Sequence, residues 1–277
     1  MSGERLVAKD KTLLSELLCL ADSKWTLGHW YIKVMLNCRT LADATAFAGM
    51  SQDELGHTRA LFKFLEDSQD LAEHQLEFGR NANQIHNMQL LDQAPQNRGD
   101  FMLTAYLAET AAWHFLATFK NSSHADIGGM VKHFGKESRF HRLSLLGWVK
   151  NLDAEEKQQM VTVWPHRLPL ALQWFGAKND NDPLLDAGIR TARVEDAKAA
   201  FTDGPVQELQ GLLNQDSRPA EPVDKIPWDA LRRRPRGSAM PASLWEAMLP
   251  TNKEASLARR PLSISIEDNI DLFDKTG

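Results

Sequence analysis

Glu54-Leu55-Gly56-His57, inside the run Ser51 to Arg59, sets a carboxylate and an imidazole three residues apart. On a helix that spacing puts both side chains on one face, and a Glu-x-x-His pair is the unit from which carboxylate-bridged di-iron sites in four-helix bundles are built. Such a site takes a lone acid from one helix, then Glu-x-x-His, then a second lone acid, then a second Glu/His pair, all pointing inward. Glu109 answers to the second lone acid. It stands in Tyr106-Leu107-Ala108-Glu109-Thr110-Ala111-Ala112-Trp113, among apolar and small residues where a solvated acid would be out of place. Glu137 and His141, in Lys136-Glu137-Ser138-Arg139-Phe140-His141, lie four apart and also share a helix face. The first acid is the exception: about one helical hairpin before Glu54 the chain carries Lys24.

These residues need helices to position them. Apolar residues recur at helical spacing over 12–36, 40–66, 100–120, 124–151, 154–176 and 194–214, which predicts a succession of amphipathic helices with almost no strand-like alternation. Gly28 interrupts the first of them and predicts a kink there. The stretch 67–99 is polar, rich in Asn and Gln, and carries His74 and His86. It reads as an extended connection with a short helix, because a bundle whose second and third helices run parallel needs a crossover, and its histidines are expected in solvent.

From Asp216 onward the composition changes, with seven of the twelve prolines, the run Arg232-Arg233-Arg234-Pro235-Arg236, and apolar anchors at Trp228, Trp245 and Leu249. Proline at this density prevents a long helix, so the organisation expected is a helical domain over 1–214 and an extended tail over 215–277 that lies on the bundle or on a partner. A solvated patch, a partner's acidic surface and a coenzyme phosphate are all open for the arginines.

The whole chain, 277 residues with 43% apolar composition, is long enough for one large core, and its net charge of −5 argues against a general nucleic-acid or membrane-surface role. The N-terminal residues lack an apolar signal segment and no apolar run is long enough to span a bilayer, so a cytoplasmic protein is expected. Cys19 and Cys38 sit in apolar segments without a Cys-x-x-Cys context and read as small buried hydrophobes. Of the eight tryptophans, Trp25, Trp30, Trp113 and Trp148 fall on helical stripes and are expected in the core.

Over about residues 12–214 the chain resembles the phenylacetyl-CoA epoxidase family, the helical subunits of a multicomponent oxygenase that epoxidises the ring of phenylacetyl-CoA. The markers are Leu20-Ala21-Asp22-Ser23-Lys24-Trp25-Thr26-Leu27-Gly28, Gln52 to His57, Leu107 to Ala112, Lys136 to His141 and Trp174-Phe175-Gly176. The resemblance implies an all-α fold, a ferritin-like four-helix bundle core with additional C-terminal helices and a Pro-rich extended tail. It also implies two kinds of subunit, a catalytic one holding a di-iron centre and a metal-free structural partner of similar fold.

Set beside the catalytic subunit, Glu54, His57, Glu109 and His141 fall at metal-ligand positions, Glu137 bends in as a further ligand, and Lys24 is a charge beside the reacting groups. The implied activity is that of a di-iron-type monooxygenase fed by a separate reductase and acting on an acyl-CoA or other aromatic molecule. Set beside the structural subunit, Lys24 is the internal counter-ion of Glu54 and Glu109, and the chain pairs with a homologous subunit or a second copy of itself. Ser138 stands where the Glu three before the last His belongs. Two ferrous ions bring four positive charges that about four carboxylates normally offset. Two irons, one metal ion, or no metal and a buried ion-pair network in its place are the alternatives.

Overall fold

The computed structural model describes residues 11–35, 37–215 and 223–248. Four long helices carry the candidate residues: α1 (Lys11–Met35), α2 (Leu41–Gln69), α3 (Arg98–Ala117) and α4 (Ala125–Lys150). They are followed by α5 (Ala154–Gln173), α6 (Val194–Phe201), a π-helical turn at Thr202–Val206 and α7 (Gln207–Leu213). The chain is thus mostly helical, as the spacing of its apolar residues predicts, and consistent with the ferritin-like arrangement that the resemblance implies. Among the described residues no helix is long and apolar enough to cross a membrane.

Local chemistry explains where these helices begin. The side chains of Thr40, Asn97 and Asp153 accept hydrogen bonds from the first-turn backbone N–H groups of α2, α3 and α5, each satisfying a donor that the helix itself leaves unpaired. Asp153 and Glu156 complete a reciprocal capping box. Helix α5 contains both Pro165 and Pro169 without interruption.

Helices α1 and α2 form a long antiparallel hairpin, and α3 is the central rod, touching α1, α4, α5 and α6. Its run from Gly99 to Ala112 is buried at every position, so it is apolar nearly all round, as a helix enclosed on all sides must be. Asp100 and Glu109 are the acidic exceptions to that character and need partners inside the protein; Asp100 has Arg167, at 2.8 Å.

Helix α1 runs unbroken through Gly28. Where a kink is expected, the glycine instead lets two helices approach: a Cβ there would lie 3.1 Å from the Leu55 side chain and 3.4 Å from the Glu54 Cβ. The Ser51 hydroxyl donates to the Gly28 carbonyl at 3.0 Å across the same contact. Trp25 and Trp30 are buried, whereas Trp113 and Trp148 are half-buried. Cys19 is buried, Cys38 is half-buried, and both are free thiols.

The connection after α2 holds one helical turn at Gln75–Phe78 and two 3₁₀ turns. His74 is exposed, but His86 is half-buried, its backbone N–H donating to Asp22 at 2.7 Å and its ring 3.9 Å from the Cys19 sulfur. Burial lowers the His86 pKa. Asp22 accepts at the same time from both ends of the Arg80 guanidinium, at 2.6 and 2.8 Å, so this acid of α1 ties down the crossover.

The described residues divide into two units between Met240 and Pro241. The first ends in a two-stranded antiparallel ribbon, β1 (Trp228–Asp229) with β2 (Arg234–Pro235), Trp228 opposite Pro235. The arginine run at this ribbon is largely internal. Arg233 donates to the Phe175 carbonyl and to Glu16, each at 2.8 Å, and Arg234 is fully buried against Asp92. Arg232 donates to the Ile85 carbonyl at 2.8 Å. The second unit contains α8 (Ala242–Met248). Leu249 and the rest of the sequence to residue 277 lie outside the described residues.

Candidate metal centre

Four helices send ionisable side chains to one spot. Lys24 and Tyr31 come from α1, seven residues and therefore two turns apart on one face; Asp53, Glu54 and His57 come from α2; Glu109 comes from α3; Glu137 and His141 come from α4. The Lys24 ammonium donates to Glu54 Oε1 at 2.8 Å, with both side chains essentially sealed from solvent. The same carboxylate oxygen lies 3.5 Å from His57 Nδ1 and 3.6 Å from His141 Nδ1. Glu109 Oε1 accepts from His141 Nδ1 at 2.8 Å and from the Tyr31 hydroxyl at 3.1 Å.

A second tier of acids closes the outside. His141 Nε2 donates to Asp53 at 3.0 Å and His57 Nε2 donates to Glu137 at 2.5 Å. Asp53 and Glu137 reach solvent, unlike the inner groups. An imidazole whose far nitrogen rests on a carboxylate is the arrangement that orients metal-ligating histidines. Phe134 of α4 stacks on the His57 ring at 4.0 Å between centroids, fixing its plane.

The electrostatics follow from this packing. Burial works against the Lys24 charge, but Glu54 and Glu109 outweigh it and raise its pKa above the usual lysine value. Burial likewise disfavours the Glu54 carboxylate, yet Lys24, with the His141 and His57 imidazoles beside it, holds its pKa well below the usual range. His141 is pushed up to about 11: desolvation opposes its charge, and the Glu109 carboxylate overrides desolvation. With carboxylates on both ring nitrogens it is an imidazolium at neutral pH. Burial first, then Glu109 and Glu54, drive the Tyr31 hydroxyl pKa far up, so Tyr31 is a neutral donor.

Lys24 and His141 thus supply two positive charges that offset the two innermost carboxylates, Glu54 and Glu109, while Asp53 and Glu137 add two more carboxylates toward solvent. Two of its oxygens, Glu54 Oε2 and Glu109 Oε2, are buried with no hydrogen-bond donor among the described residues. Glu54, Glu109 and His141 offer ligand atoms all within 4.8 Å of one another, so this group can hold a metal ion. Carboxylate and imidazole suit a divalent transition metal. Two irons do not fit this donor set: the ammonium of Lys24 occupies the place of the first-helix acid, and Ser138, buried on α4, offers no carboxylate.

The structure therefore brings Lys24, Glu54, His57, Glu109 and His141 together in the interior and sets Glu137 at the rim behind His57. Sequence reasoning misses Tyr31 and Asp53. Tyr31 could be found from its two-turn spacing to Lys24. Asp53, next to Glu54, carries no signal of its own, since an acid on a helix is usually solvated.

The model of one family, described as phenylacetic acid catabolic protein, matches residues 4–213, most of the chain. No curated protein matches it.

Proposed function

This chain belongs to the phenylacetic acid catabolic protein family, and we propose that within it the chain acts as a non-catalytic partner subunit whose Lys24 takes the place of a metal centre. Family membership suggests a multicomponent complex of phenylacetate catabolism. The observation that carries the reading is the 2.8 Å contact of the Lys24 ammonium with Glu54, buried among Glu109 and His141. A cation already sits on the oxygen that a metal would need, and Lys24 and His141 offset the two innermost carboxylates without an ion. A buried, paired and hydrogen-bonded charge network of this kind fixes the mutual register of four helices. The partner is a homologous ferritin-like subunit or a second copy, and the chain serves to present a rigid surface to it.

The second reading is that of an oxygenase component, favoured by the two outer carboxylates on the histidines and by the unpartnered oxygens of Glu54 and Glu109. In it Glu54, Glu109 and His141 would hold a single iron, with His57 and Glu137 beside it, and the iron would supply redox chemistry toward dioxygen. Lys24 would then have to turn away from Glu54 or lose its proton, and His141 would have to give up the proton on its ligating nitrogen. A thermal-unfolding titration with ferrous iron under anaerobic conditions separates the two. A partner subunit keeps its melting temperature at all iron concentrations, whereas an iron-binding site raises it by mass action.

A further inference from the structure

Between α3 and α4, beneath the π-helical turn, lies a cavity of about 360 Å³ lined by Tyr106 and His114 of α3, Arg139, Arg142 and Leu146 of α4, and Pro205. Glu208 is also on its wall, and it faces Lys150 at 3.1 Å. Among the described residues neither Arg139 nor Arg142 has a carboxylate within ion-pair distance. His114 adds no charge, because burial, then the Arg142 guanidinium, pushes its pKa down to about 4. The two guanidinium groups thus outnumber the one carboxylate of the wall, Glu208, which is shared with Lys150 and Tyr106.

Its geometry is held in place. Arg142 Nε donates to the Ser138 carbonyl at 3.1 Å and the guanidinium lies 4.9 Å over the Trp113 ring, which aims it without neutralising it. Arg139, one turn earlier, shares its helix face, so the two forks repel unless an anion lies between them. Beside them α4 exposes Phe140 and Leu143, 69% and 55% accessible, an apolar rim with no cover among the described residues. The roof is a π-helical segment, a rare backbone form concentrated at functional sites, and at Gly204 it borders open space, since a Cβ there would meet nothing within 4 Å.

We propose that this cavity binds a phosphate monoester of a small aromatic or aliphatic molecule. Arg139 and Arg142 take the phosphate, and Tyr106, Leu146 and Pro205 take the body. Guanidinium forks match phosphate oxygens in pairs, and a phosphate offers both arginines oxygens at once, which a single carboxylate does less well. The inference is independent of whether a metal binds between the helices.

Calorimetric titration of the full chain with phenyl phosphate tests it, with inorganic phosphate and benzoate as comparisons. Saturable one-site binding of phenyl phosphate is expected, about ten-fold tighter than inorganic phosphate because the ring buries apolar area, and tighter than benzoate. Arg139→Met, on an exposed side chain that the fold does not need, is expected to weaken it at least about ten-fold. Gly204→Leu grows into open space and is expected to block the cavity with the melting temperature unchanged. Absence of saturable binding, equal affinity for inorganic and phenyl phosphate, or affinity unchanged in both variants would overturn the proposal.

Discussion

Lys24 of α1 and Glu54 of α2 meet at 2.8 Å in the interior, and one turn along α1 Gly28 lies against Leu55 and the Glu54 Cβ, with no room to spare for a larger side chain. The ion pair and the close helix contact depend on each other. Separation of the two helices would carry the carboxylate out of reach of the ammonium.

Replacement of Lys24 by Met is expected to cost about 3 kcal/mol or more, since two buried carboxylates lose their counter-charge. Urea unfolding measures it. The double variant Lys24→Met with Glu54→Gln should regain part of the loss, because the uncompensated charge is removed along with the pair. A single variant as stable as the parent would contradict the network.

Gly28→Ala is expected to be nearly neutral and Gly28→Val strongly destabilising. Alanine gains about 1 kcal/mol of helix propensity, which offsets the pressure of its Cβ on Leu55. Valine adds two methyl groups at the same 3.1 Å contact. Thermal melts of the two variants check the order, and a Val variant as stable as the Ala variant would show the helices to be less closely packed.

The pH profile of stability should carry an alkaline limb from His141, whose folded pKa is raised to about 11. The native state then binds one proton more than the unfolded chain between the ordinary histidine value and that limit, so stability falls as pH rises. The contribution is fully present below about pH 6.5, declines above it, and is gone beyond about pH 11. His141→Gln should flatten this limb, measured by urea midpoints across the range. An unchanged slope would remove His141⁺ from the cluster.

Arg234→Met is expected to destabilise by about 3 kcal/mol because Asp92 is left without its buried counter-charge. Asp92 is mostly enclosed, and burial raises its pKa despite the guanidinium. The paired change Arg234→Met with Asp92→Asn should recover much of the loss. If the single variant unfolds at the parent's urea midpoint, the arginine run is not the internal staple described here.

The helices and the inward acids were legible because both signals are local. Apolar residues at a 3.6-residue period and a carboxylate such as Glu109 inside an apolar run identify a buried face without reference to the rest of the chain. What escaped depends on pairings distant in sequence. Arg232-Arg233-Arg234 reads in sequence as a solvated patch, a docking surface or a phosphate site alike, and only the fold brings Glu16 and Asp92 to it. Gly28 reads as a weak point in one helix, whereas its use lies in the approach of another. Tyr31 and Asp53 are unremarkable singly and acquire a role only opposite Glu109 and His141. The break of 194–214 at Thr202–Val206 was also unforeseen, since Pro205 there is accommodated by a π turn within a pattern that remains periodic.

The most direct test of the central claim is the iron content of the full chain after anaerobic ferrous loading and desalting, measured beside Lys24→Glu. With Lys24 holding the place of the metal, the parent chain is expected to retain no stoichiometric iron, and the variant, which restores an acid on α1, to retain more. One or two irons per parent chain, with the absorption of an oxo-bridged or ferric centre after exposure to air, would contradict it.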